Sequence, residues 1–182
     1  KINIMAQVVP QLDFMQAIKL AYSRLKETTG RSRRSEFWWA ILAVGVGGAI
    51  VGLILGVIPA IGIWLKSIVN IAVVLVTVPL MMRRLHDAGK SDGLVKAYVI
   101  LFIVTILLGI IAYYAARSLS LGLMSITGVL STIAGLGGLV VAIILIVYCV
   151  QDSEGPNKYG PSPKYPEGKR EIPQNPQTPP QQ

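Results

Sequence analysis

The chain has 182 residues, 53% hydrophobic and only 14% charged, with a mean hydropathy of +0.59 and a formal net charge of +8. That balance excludes an ordinary soluble domain of this length, and the apolar residues lie in long runs broken by short basic clusters, the pattern of a multi-spanning membrane protein. The single cysteine, Cys149, falls inside an apolar run, which excludes an internal disulfide and a thiolate metal cluster and points to a small packed core residue.

The segment KINIMAQVVPQLDF has no basic stretch followed by an apolar region and a small-residue cleavage site, so no removable signal peptide is expected and the first span is expected to direct insertion. From about Gln11 to Glu27, the offsets of Phe14, Ile18, Ala21, Tyr22 and Leu25 make a helical apolar stripe, with Lys19, Arg24, Lys26 and Glu27 mostly off it. This predicts an amphipathic helix lying on the membrane surface or against the bundle.

A first span is predicted from about Phe37 to Val57, opening on Phe37, Trp38 and Trp39, aromatic residues suited to the headgroup level. Gly48, Gly52 and Gly56 recur every four residues and present a face on which another helix can pack closely, as an intramolecular seam in preference to an oligomer contact. Pro59 and Gly62 mark a turn, and a second span runs from about Ile63 to Met82 with Lys66 snorkelling near its outer end. The alternative is one long tilted helix ending at Lys66, followed by a marginal span from Ser67 to Met82. A basic loop, RRLHDAGKSDG, leads to a third span, about Leu94 to Tyr114, and a connection around Arg117 and Ser118 leads to a fourth, about Thr127 to Val150, where Gly135 and Gly138 form another small face. Beyond Gln151 the composition turns polar and rich in Gly and Pro, and the end, IPQNPQTPPQQ, is expected to be extended or disordered.

The fold class is therefore all-α: an integral membrane bundle of about four transmembrane helices with an N-terminal amphipathic interfacial helix. Residues 1–35 form a cytoplasmic N-terminal segment, 36–151 the transmembrane domain, and 152–182 a cytoplasmic motif and flexible tail. Of the seventeen Lys and Arg residues, only Lys66 and Arg117 fall on the other side from the rest, and all nine acidic residues lie with the majority. The positive-inside rule then places both termini in the cytoplasm, on a face drawn to anionic phospholipid. Membrane topology accounts for the basic residues, so nucleic acid is not an expected partner.

Three polar stretches, GRSRRSEFWW, RRLHDAGKSDG and DSEGPNKYGPSP, sit where the chain meets the membrane. Together they resemble the signature of a family of small bacterial inner-membrane proteins, the YhaH-like family (domain of unknown function 805), over roughly Phe14 to Pro163. The family's pattern falls on Gly30, Arg31, Arg34, Glu36, Phe37 and Trp38. It continues on Arg83, Arg84, Leu85, His86, Asp87 and Gly89, and then on Gly155, Asn157, Tyr159, Gly160 and Pro163. Where the family usually has Ser-Gly-Trp, this chain has Ser91, Asp92 and Gly93. The resemblance implies an inner-membrane location and no established activity.

If the spans bundle with short loops, Arg31, Arg34, Arg83 and Arg84 come near Glu36, Asp87, Asp152 and Glu154 at one membrane depth, and opposite charges there satisfy one another where water is scarce. The candidate site is accordingly a charge clamp, or a ligand or lipid site, of Arg31, Arg34, Glu36, Arg83, Arg84, His86, Asp87, Asp152, Asn157 and Tyr159. His86 beside Asp87 suggests a general base, but neighbouring helical residues point about 100° apart and no nucleophile is specified beside them. A single histidine also argues against zinc, so neither a metal nor a cofactor is expected.

The spans carry no Asp, Glu or His at mid-depth. Asn70, Thr77, Thr105 and Thr132 can be satisfied within helices, and Pro79 can kink the second span. The favoured reading is a non-enzymatic scaffold or accessory subunit, associating with other membrane proteins or with its own copies. The alternatives are a small transporter or pore-forming oligomer, or an enzyme acting at the cytoplasmic membrane boundary.

Overall fold

The computed structural model describes residues 9–58 and 62–165, without the side chains of residues 62–64 and 66. The signal-peptide reading of residues 1–8, the turn at Pro59, the snorkelling of Lys66 and the extended Pro/Gln tail lie outside what is described. The described chain is all-helical in its regular structure: α1 (Phe14–Ser23), α2 (Arg34–Gly56), α3 (Gly62–Asp87), α4 (Gly93–Arg117) and α5 (Leu121–Val150). Segments Arg34–Gly56, Ser67–Asp87, Gly93–Arg117 and Leu121–Val150 are each long and apolar enough to cross a membrane.

Helix α1 starts on a capping box. The Asp13 carboxylate accepts from the Gln16 N–H at 2.7 Å, and the Gln16 side chain accepts from the Asp13 N–H at 3.3 Å. The helix is shorter than the stripe suggested, and its buried line is Ala17 and Ala21, while Tyr22 is 76% exposed. Small residues let α1 lie close on α2, and Phe14 meets the Trp39 ring edge-on at 5.6 Å.

Helix α2 ends at Gly56 and α3 begins at Gly62, so the long unbroken helix to Lys66 is not formed. The polar RRLHD stretch, expected in a loop, is the last turn of α3, where the basic residues Arg84 and His86 suit the negative end of the helix dipole. The stop comes at Gly89, in the left-handed conformation (φ 71°), with the Lys90 N–H bonded to the Leu85 carbonyl at 2.8 Å. Helix α5 begins six residues earlier than expected, directly after a tight turn at Leu119, because the polar groups near its start are satisfied along the helix. Ser125 and Thr127 donate to the Leu121 and Leu123 carbonyls at 3.0 and 2.8 Å. Thr77, Thr105 and Thr132 do the same in their own helices.

Packing joins α2 along α3 and α4 along α5, with lesser contact from α3 to α4 and α5. The buried apolar cluster gathers at the charged end: Phe37, Ala40, Leu80, Leu85, Val95, Leu145 and the thiol of Cys149 pack together with Ala21 of α1. Away from that end the helices turn large apolar side chains outward, as lipid-facing surfaces do.

The glycine faces pack less closely than their spacing predicts. A Cβ built on Gly48 would lie 3.1 Å from Val73 Cγ2, so α2 and α3 are in close contact there. At Gly52, Gly56, Gly135 and Gly138 such a carbon would meet nothing within 4 Å, so no intramolecular seam is formed at those positions. A cleft of about 460 Å³ runs along this face, lined by Gly45, Gly48, Gly52, Asn70 and Val73 among others. Gly48→Leu should overfill the contact and cost about 1–3 kcal/mol, read as a lower melting temperature of the purified monomer. Gly52→Leu should leave the monomer's melting temperature unchanged, and a loss equal to that of Gly48→Leu would contradict the open cleft.

Candidate functional site

The three polar stretches converge at the charged end of the bundle, and the centre of the cluster is Asp87 at the end of α3. It is fully buried, and its carboxylate accepts from three groups on three segments. Arg31, just before α2, approaches at 3.0 Å; Arg84 lies one turn back on α3; and the Ser153 hydroxyl comes from beyond α5. The Asp87 backbone takes part as well, its carbonyl accepting from the Glu154 N–H at 2.8 Å. A buried carboxylate is tolerable only when its lone pairs are occupied in this way.

The arginines spend their donors on the protein itself. Arg31, with its side chain 2% exposed, donates from Nε to Asp87, from Nη1 to the carbonyls of Gly155 and Gly160 at 2.8 and 3.0 Å, and from Nη2 to those of Asp87 and Glu154 at 3.1 and 2.6 Å. Arg84 donates to Asp87, to the Cys149 carbonyl at 3.0 Å and to the Gln151 carbonyl. It thereby occupies backbone acceptors that the end of α5 leaves without helical partners. Arg83 forms a second centre, donating to Glu36 at 3.2 Å, to the Glu27 carbonyl at 3.0 Å and to the Arg24 carbonyl. Glu36 lies in the first turn of α2, the end that favours a negative charge. Among the described residues, the buried side-chain atoms left without a hydrogen-bond partner are Arg83 Nε and Ser32 Oγ.

His86 and Asp87 diverge. The His86 Nδ1 is 3.1 Å from the Gly30 carbonyl, which fixes the proton on that nitrogen. Its ring stacks on Tyr159 with centroids 3.8 Å apart and planes 11° from parallel. Tyr159 is presented by a turn in which the Gly160 N–H bonds to the Asn157 carbonyl at 2.9 Å and the Asn157 side chain accepts from the Tyr159 N–H at 2.9 Å. Gly160 has φ 117°, open to glycine and rarely to other residues, and this aims its carbonyl at Arg31. The Asn157 amide also donates to the His86 carbonyl at 3.0 Å. Among the described residues no three His, Cys, Asp or Glu side chains converge as a metal-ligand set.

Asp152 and Arg34 stand at the edge of this cluster, half-exposed and paired at 3.0 Å. Asp152 also accepts from Lys164 at 2.7 Å and from the Tyr165 hydroxyl at 3.1 Å. Partial burial pushes its carboxyl up, but the bonds from Lys164, the Ser153 N–H and Tyr165, with the charge of Arg34, outweigh this and hold it at about 2. The structure thus brings the ten candidate residues into one region, while Arg24, Arg33, Ser153, Lys164 and Tyr165 were missed by the sequence reading. Arg33 and Ser153 lie inside the quoted stretches, so position alone signalled them. Nothing in the sequence marked Lys164 or Tyr165.

A family model described as a protein of unknown function, DUF805, matches residues 25–161, which include all the segments that meet at Asp87. Two similar proteins are both described as inner membrane protein YhaI, one from Escherichia coli strain K12 and one from Escherichia coli O157:H7. Each is 26% identical over 137 residues, covering 75% of this chain and 86% of the relative. No solved structure matches the chain. With the family model spanning most of its length, including every segment that meets at Asp87, the chain belongs to the DUF805 family of membrane proteins.

Proposed function

We propose that this is a non-enzymatic scaffold or accessory subunit of the bacterial inner membrane, in which the buried charge cluster acts as a clamp on the helix ends. The observation that carries the reading is how the polar groups are used. Arg31, Arg84, Glu36, Asp87 and His86 are buried, and their bonding capacity goes to one another and to backbone carbonyls. A catalytic or transport site needs groups that can reach a substrate, and these are held away from one. The alternative of self-association is supported by the open cleft beside Gly52 and Asn70, which leaves α2 a small-residue surface for another helix.

The clamp reading predicts a specific ordering of variants. Removing one partner of a buried ion pair leaves the other charge uncompensated, at a cost of about 3–5 kcal/mol, so Arg84→Ala and Asp87→Ala should lose most of their folded yield. His86→Ala gives up one hydrogen bond and a ring stack and should cost about 1–2 kcal/mol. Folded yield and melting temperature, measured beside the cellular phenotype, check this. Well-folded Arg84 and Asp87 variants without function would move the cluster to an active site.

The same reading places the cluster and both termini on the cytoplasmic side, following the positive charge. The location in the inner membrane is supported by the two relatives named for it. Reporter fusions after Gly89 should read as cytoplasmic and fusions at Ser120 as external. A cytoplasmic reading at Ser120 would exclude the four-span arrangement.

Asp152 gives the docked segment after α5 a pH dependence. Its folded pKa of about 2 lies below the ordinary carboxylate value of about 4, so its contribution is complete above about pH 4 and is lost as pH falls towards 2. Protection of backbone amides near Ser153 from exchange should fall across that window, and Asp152→Asn should abolish this component of the dependence.

A further inference from the structure

Three cations outside the Asp87 and Glu36 centres line one cavity. Arg33, Arg34 and Lys164 border a space of about 420 Å³ whose other walls include Trp38 and Trp39. The carboxylate that pairs with them is Asp152, shared between Arg34 at 3.0 Å and Lys164 at 2.7 Å. Arg33, 7% exposed, donates to the carbonyls of Val9 and Pro10 and, among the described residues, forms no ion pair with a carboxylate. Among the described residues the cavity lining therefore carries a positive excess. It lies at the start of α2, whose N-cap residue Arg33 makes no side-chain capping bond, so the positive end of the helix dipole adds to that excess.

The wall of this cavity has a second side. Trp38 and Trp39 also border an apolar recess of about 400 Å³, completed by Ile41 and Leu42 further along α2. A cationic space and an apolar one thus share two tryptophans at the point where α2 enters its membrane-spanning stretch. A small soluble anion would use the first alone. A molecule with a phosphate at one end and an acyl chain at the other would use both, and the tryptophans suit the boundary between its two halves.

We propose that Arg34 and Lys164 bind the phosphate of one anionic glycerophospholipid, with the buried Arg33 adding positive charge behind them, and that its acyl chain passes Trp38 and Trp39 to lie against Ile41 and Leu42. This goes beyond the scaffold reading and uses none of the residues locked around Asp87. It reassigns the headgroup contact from Arg31, Arg83 and Arg84, whose bonds are internal, to cations at the edge.

The test uses the full chain carrying Trp64→Phe, so that Trp38 and Trp39 are the fluorophores, in phosphatidylcholine vesicles. Trace brominated phosphatidylglycerol should quench their fluorescence several-fold more efficiently than trace brominated phosphatidylcholine. Arg34→Gln and Lys164→Gln should each reduce that preference about fivefold, the weight of one cation near an anionic surface, and Arg34→Lys should keep most of it. Equal quenching by the two lipids in the chain with all three cations would overturn the proposal. Relief of phosphatidylglycerol quenching by soluble glycerol phosphate at matched ionic strength would show that the headgroup suffices, and would overturn the lipid as ligand. Melting temperatures of the same samples separate a failed lipid site from a failed fold, and the lipid comparison stands without any cation variant.

Discussion

A carboxylate buried among helix ends has to be neutralised where it lies, and Asp87 meets that requirement with groups from three separate segments of the charged end. Arg31 precedes α2, Arg84 shares α3 with Asp87, and Ser153 follows α5. None of these segments could move away alone without leaving a charge or a donor uncompensated in a poorly hydrated place. The bonds from Arg31 and Arg84 to carbonyls after α5 extend the same constraint along the chain. The order of the loops at this end is therefore a consequence of electrostatics more than of apolar packing.

The contrast with the rest of the bundle follows from the solvent. In lipid there is little hydrophobic gain in bringing two apolar helices together, so close contact has to come from small residues or polar bonds. The chain has close glycine contact between α2 and α3 at Gly48, and on either side of it the same face borders a cleft. The apolar core and the ion pairs both concentrate at the charged end. The architecture is two helical hairpins fastened at one end, with apolar flanks left for lipid or for other membrane helices.

This division also bears on function. Groups that look reactive in sequence, His86 and Asp87 above all, are fixed by internal partners, whereas Arg33, Arg34 and Lys164 keep positive charge beside a cavity. A protein built in this way holds its own framework rigid and presents its edges. The proposed association with lipid and with partner helices rests on this difference.

Hydropathy alone determined the four membrane-crossing segments, because a run of apolar residues long enough to span lipid has few other uses. The gathering of Arg31, Glu36, Arg83 and Asp87 at one end of the bundle was legible too, since spans of similar length bring their flanking charges together. Ends and faces were less so: RRLHD extends α3, and α5 begins at Leu121, because charges and hydroxyls can be satisfied by distant carboxylates or by the helix's own carbonyls. The pairing itself, Arg31 and Arg84 with Asp87 and Arg83 with Glu36, was decided only by the tertiary structure. So was the opening beside Gly52, which four-residue spacing had suggested as a seam. Spacing fixes which residues share a helical face, but what that face meets depends on how the neighbouring helix lies against it, and that arrangement is set by contacts distant in sequence.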